Sequence, residues 1–265
     1  MELELTGMRA LVVGGTSGIG KATARELARE GVAVAIAGRN EAALAEAAAE
    51  LVAETGGTIV PFTCETSSDD SVRAMVAAAV DRLGGVDILV NCAAQPAATR
   101  PPKIAEIDDE VFWSDVNVKV VGYLRCIREV VPHMAAAGGG TVVNVSGYAA
   151  RETGSTVGSI RNASVVALTK NLADELAPQG IRVIVVHPAG TRTERTRATI
   201  SRVAEQRAIT EAEAERQLGA SSLLGRYVDA REIAYVIAFL VSPKAIAING
   251  DAIGVAGGRP GTISY

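Results

Sequence analysis

The chain has 265 residues, 48% of them hydrophobic but only 3% aromatic, and a formal net charge of −4. A single domain is the default at this length, and a core of Val, Ile, Leu and Ala suits parallel strands covered by helices on both faces. The acidic balance argues against a nucleic-acid partner. Cys64, Cys92 and Cys126 lie far apart without CxxC spacing and read as buried apolar residues of a reducing compartment, with no metal site expected. Met1 to Gly7 lacks the basic-then-apolar pattern of a leader, and no apolar run approaches the ~20 residues that span a bilayer. A soluble, cytoplasmic protein is expected.

In chain order, strands are predicted over Arg9–Gly14, Val32–Ala37, Thr58–Phe62, Asp87–Asn91, Thr141–Ser146, Ile181–His187 and Ala252–Val255. Most are near-continuous apolar runs, as strands buried on both faces require. Amphipathic segments separate them, among them Lys21–Glu30, Glu41–Thr55, Ser71–Leu83 and Val118–Ala137. This alternation predicts a three-layer α/β fold with a Rossmann-type doubly wound parallel sheet. Residues 195–218, charged and helical, interrupt the pattern after the sixth strand. They fall where open α/β sheets bind ligands, so they read as a substrate lid, or else as a solvated surface helix.

The most specific local signal is Val12-Val13-Gly14-Gly15-Thr16-Ser17-Gly18-Ile19-Gly20, a strand running into a glycine-rich turn and then a helix. Gly14 permits the tight turn, Gly18 lets backbone approach a pyrophosphate, and Gly20 lets the helix pack on the sheet. The N–H groups opening that helix favour an anion. The second strand ends in Ala37-Gly38-Arg39-Asn40, with no acid for a ribose hydroxyl. Arg39 is placed to pair with a 2′-phosphate, which favours NADP(H) over NAD(H); the plainer reading is a surface arginine at a strand end.

Further landmarks follow in order: Asn91-Cys92-Ala93-Ala94, Asp115-Val116-Asn117-Val118, Pro188-Ala189-Gly190-Thr191, Leu224-Gly225-Arg226, Glu232-Ile233-Ala234 and Val255-Ala256-Gly257-Gly258. From Gly7 to Gly258 the chain resembles the short-chain dehydrogenase/reductase family. The resemblance implies an NADP(H) site on Gly14, Ser17, Gly18, Ile19, Arg39, Asn40, Glu65, Asn91, Ala93, Pro188, Gly190, Thr191 and Thr193. Glu65 would stand near the adenine, and Thr191 and Thr193 near the pyrophosphate and carboxamide. It also implies a small-molecule substrate and a homo-oligomer, dimer or tetramer, built on helices 111–134 and 160–178.

The family's reduction uses a tyrosine to protonate the carbonyl, a lysine four residues later on the same helical face, an orienting serine and an asparagine. Here the strand-five motif Val142-Val143-Asn144-Val145-Ser146-Gly147 puts Gly147 at the serine position. Thirteen residues on, the tyrosine position reads Ile160 and the lysine position Ser164, leaving only Asn117 of the four. Tyr148 offers a substitute donor, since Ser146-Gly147-Tyr148-Ala149 is similar to a stretch in the 2,4-dienoyl-CoA reductase branch; an aromatic pocket wall is the alternative. The candidate catalytic residues are thus Asn117, Ser146 and Tyr148. Arg151, Glu152 and Arg161 could bind an anionic substrate or form a solvated loop. His187 reads as a packed histidine and His133 as a surface one.

Three functions compete. One is a divergent NADP(H)-dependent oxidoreductase acting on a small carbonyl, alcohol or enoyl substrate. The second is an inactive cofactor-binding partner or sensor, and the third a non-redox isomerase or lyase. The first is favoured because both pocket and lid persist.

Overall fold

The computed structural model describes residues 2–95 and 102–261. All seven predicted strands form: β1 (Arg9–Val13), β2 (Ala33–Gly38), β3 (Ile59–Thr63), β4 (Ile88–Asn91), β5 (Gly140–Val145), β6 (Ile181–His187) and, numbered ninth in the chain, β9 (Ala252–Gly254). They make one parallel sheet in the order β3-β2-β1-β4-β5-β6-β9. Residues 191–192 (β7) and 228–229 (β8) form a separate two-stranded ribbon.

Successive side chains of β1 feed opposite cores, which is why its sequence is continuously apolar. Ala10 and Val12 pack with α1 (Gly18–Arg29), α2 (Glu41–Thr55) and α9 (Ala230–Val241). Leu11 and Val13 face α3 (Asp69–Leu83), α5 (Gly122–Ala136) and α6 (Thr156–Leu176). At the far end of the sheet the buried Arg182 guanidinium donates to the carbonyls of Leu240, Ser242, Ala245 and Ile248, tying β6 to the close of α9.

Three elements depart from the predicted pattern. The helix predicted from Val118 begins earlier, as α4 (Asp109–Val116), with Asp108 accepting from the Val111 N–H as its cap. It runs into α5 through a π-turn over Asn117–Val121, where the Gly122 N–H reaches back to the Asn117 carbonyl. The Thr66 hydroxyl donates to the Val118 carbonyl within that turn at 3.1 Å. Residues 195–218 form two helices, α7 (Thr196–Arg207) and α8 (Glu211–Gly219), which share a small core of Ile200, Val203, Ala204 and Ala214. Among the described residues no helix is long and apolar enough to cross a membrane.

Candidate active site and nucleotide cleft

Strand order reverses at β1, whose neighbours β2 and β4 have their crossover helices on opposite faces. The crevice beyond the carboxyl ends of β1 and β4 is therefore where a ligand is expected. A cavity of about 310 Å³ opens there, lined among others by Gly14, Ser17, Ile19, Arg39, Glu65, Ala93 and Thr193. The glycines make it. Gly14 has φ +85°, and a Cβ on it would meet the Ala93 nitrogen at 2.8 Å. A Cβ on Gly20 would lie 2.1 Å from the Gly14 carbonyl oxygen. No other residue lets the turn, the β4 loop and the helix approach so closely.

At the N-terminus of α1 the Ser17 hydroxyl makes no capping bond, and the Gly18 N–H donates to the Glu194 carboxylate at 2.9 Å. A protein carboxylate thus occupies the anion position of the helix. Arg39 and Glu65 stand exposed at the rim, 3.9 Å apart. A second opening of about 510 Å³ continues from them past Trp113 and Asn117.

Several predicted residues serve the scaffold. Asn40 caps α2, its side-chain oxygen accepting from the Ala43 N–H at 2.9 Å. Asn91 is fully buried and donates to Asn144, which donates to Thr169, a chain linking β4, β5 and α6. The Pro188 carbonyl accepts from the Tyr148 N–H, Gly190 gives room to the Tyr227 ring, and the Thr191 hydroxyl donates to the Ala189 carbonyl. These residues shape the loop from which Thr193 and Arg195 reach the cavity.

The catalytic half differs most from expectation. On α6 the buried stripe runs Gly158, Asn162, Val165, Thr169, Ala173, Leu176. Ile160 lies outside it, 44% exposed, and Ser164 turns its hydroxyl to the Ile160 carbonyl of its own helix. Counting thirteen residues from Gly147 therefore selects the wrong face, because two residues are about 200° of helix rotation. The positions four apart on the buried stripe are Gly158 and Asn162. Gly147 sits against the latter, since a Cβ there would lie 3.3 Å from the Asn162 side-chain oxygen.

Asn117 is likewise turned aside. Its side-chain oxygen accepts from Arg125 at 2.9 Å. Two residues on, Lys119 points inward from the π-turn, only 4% exposed. Its Nζ donates to the Ser146 carbonyl at 2.9 Å and to the Asn162 side-chain oxygen at 3.0 Å. The Ser146 hydroxyl donates to the Asn162 carbonyl at 2.9 Å. Burial pulls the Lys119 amine down to about 7, and the nearby Arg161 adds to this. Sequence reasoning missed this residue; the signal was a lone lysine among valines, Val116-Asn117-Val118-Lys119-Val120-Val121.

Tyr148 is buried, its ring edge-on to His187 and flanked by the Arg151 and Arg259 guanidiniums. Its hydroxyl points at β9, where a Cβ on Gly254 would lie 2.9 Å away. It does not line the cleft that holds Gly14 and Thr193. Arg161 is paired with Asp115 and Glu152 with Arg259, while Arg151 donates to the Ala252 carbonyl, so the three charges expected in a solvated loop have protein partners.

Comparison with known proteins agrees with this architecture. Residues 13–259 match the family described as Enoyl-(acyl carrier protein) reductase. A putative ketoacyl reductase of Streptomyces coelicolor is 34% identical, the match covering 94% of this chain and 95% of that protein. The L-sorbose reductase of Gluconobacter frateurii, solved with NADPH and L-sorbose, superposes with a TM-score of 0.92 at 26% identity, over 99% of this chain and 100% of that one. A variant of the actinorhodin polyketide ketoreductase solved with NADPH gives 0.88 at 33% identity, over 96% and 98%. A seven-stranded parallel sheet with a glycine-walled crevice at its switch point, matched along nearly its full length, places the chain in the short-chain dehydrogenase/reductase family.

Proposed function

We propose that the protein is an NADP(H)-dependent oxidoreductase acting on a small carbonyl, alcohol or enoyl substrate, with proton transfer that does not use a tyrosine on α6. The observation that carries the reading is the cleft itself. A Cβ on Gly14 or Gly20 would force the turn away from the β4 loop or from α1, so the glycines hold these segments together around a crevice at the place where such folds bind a dinucleotide.

In this reading Gly14, Ser17, Gly18 and Ile19 receive the pyrophosphate, with the helix dipole favouring its charge. Arg39 receives the 2′-phosphate through its planar fork. Ala93 and Thr193 wall the inner end of the groove. The nicotinamide would supply or accept the hydride. The side chains grouped at the end of β5 are those of Lys119, Ser146 and Asn162, and at Gly158 the place of a side chain is taken by Ser155, whose hydroxyl a Cβ there would meet at 2.7 Å.

The lost tyrosine equally supports a cofactor-binding protein without turnover, and one experiment separates the two. A hydride-transfer screen with NADPH against small ketones, aldehydes and enones is expected to find turnover. Tyr148→Phe is expected to keep at least half of it, because the hydroxyl faces β9. Loss of turnover in that variant with unchanged folding would return Tyr148 to the catalytic set. Absence of turnover across the screen would favour the non-catalytic reading.

A further inference from the structure

The structure joins a lysine and an asparagine at the end of β5, but on exchanged helices. The family's lysine belongs on the α6 face four residues after the tyrosine, and its asparagine on the preceding helix. Here that α6 position is Asn162, and the inward-facing residue of the preceding helix is Lys119. The two side chains touch at 3.0 Å. We propose that Lys119 is the proton-holding group of this pocket, and that its amine takes up a proton when a dinucleotide binds. The proposal rests on the NADP(H) reading given above.

Geometry argues for it first. An ammonium offers three donors, and Lys119 uses two, on the Ser146 carbonyl and on Asn162. Neither acceptor carries a charge, so the site tolerates the ammonium without neutralising it. Val118, beside Lys119, and Val145, beside Ser146, line the nucleotide cavity, as does Cys92. A polyanion in that cavity therefore shares a wall with Cys92, which is close enough to act on the amine.

The groups that face Lys119 set the balance. Arg161 on α6 opposes the ammonium, Asp115 on α4 favours it, and Cys92 after β4 favours it only as a thiolate. Burial pushes the Cys92 thiol up to about 12, so it stays neutral near pH 7. Arg161 and Asp115 are bonded to each other and largely cancel. His187 on β6 feels the Lys119 charge but is itself held neutral by burial. The amine sits near 7, poised so that an added anion changes its proton occupancy.

Linkage gives the size. At pH 7.5 an amine with a pKa of about 7 is roughly one-quarter protonated, so binding that favours the ammonium takes up at most about three-quarters of a proton. Calorimetric titration of NADPH in buffers of different ionisation enthalpy reads that number directly. Wild type is expected to take up protons at pH 7.5, and Lys119→Met to bind without doing so. The exchange variant Lys119→Asn with Asn162→Lys, which returns the lysine to α6, is expected to bind with uptake restored.

Binding without uptake in wild type, or uptake that survives in Lys119→Met, overturns the proposal. Should the methionine variant not fold, side-chain nitrogen NMR of the chain's five lysines decides it in wild type. One amine is expected to titrate near 7 and to shift upward with NADPH. Absence of any amine titrating near 7 overturns the proposal. A low-titrating amine in a protein that binds no nucleotide would overturn the NADP(H) reading, and with it the linkage but not the buried amine.

Discussion

His187 shows how one buried side chain ties stability to pH. Its Nδ1 lies 3.1 Å from the Gly147 carbonyl, so the ring is the neutral tautomer with Nδ1–H donating. Nε2 is buried without a partner. Burial, helped by the Arg151 charge, holds the ring down to about 4 from an ordinary 6.5. Between those values the unfolded chain binds the proton and the folded one does not. Stability from this site is therefore complete above about pH 6.5 and lost progressively as pH falls toward 4. Thermal melts from pH 7 to 4.5 are expected to fall less steeply in His187→Asn than in wild type; equal slopes would mean that the ring protonates freely in the fold. The sequence marked this histidine as packed. Single side chains at the β5 end were harder to read, because Asn117 and Lys119 are two residues apart and only the π-turn decides which one faces inward.

At the scale of elements, α1 carries the anion position and the segment after β7 already fills it. The Glu194 carboxylate on the Gly18 N–H must leave before a pyrophosphate can take that donor. Exposed charges at a helix N-terminus contribute roughly 0.3–1 kcal/mol. Glu194→Gln is accordingly expected to tighten NADPH binding by about two- to fivefold, and weaker binding would show instead that the carboxylate helps to seat the ligand. The seven strands were legible because burial on both faces forces continuous apolar runs, and the glycine turn because close backbone approach excludes any Cβ. The register of α6 was not legible from loop length alone. Its own stripe, Gly158, Asn162, Val165, Thr169, Ala173 and Leu176, carries that information, since burial repeats every three to four residues. The helical segment 195–218 was visible as a charged insertion, but its division into two helices depends on the left-handed Ala208, which no glycine announces.

For the whole molecule, the apolar side chains left outside the two sheet-facing cores suggest how copies meet. α4 packs on α6, and together with α5 they expose Val111, Trp113, Leu124 and Ile160. The resemblance puts a subunit contact on these helices, and we propose a homo-oligomer assembled there. Light scattering is expected to give a dimer or tetramer for wild type and a smaller species for Trp113→Glu with Leu124→Glu; an unchanged mass would place the contact elsewhere. On the other half of the molecule, we propose that the cleft from Gly14 to Thr193 binds NADP(H). Calorimetric titration with NADPH and NADH tests it most directly. NADPH is expected to bind more tightly, and Arg39→Ser to weaken NADPH by about ten- to a hundredfold, the worth of one charge-assisted contact, while leaving NADH nearly unchanged. Binding of neither nucleotide by folded protein would contradict it.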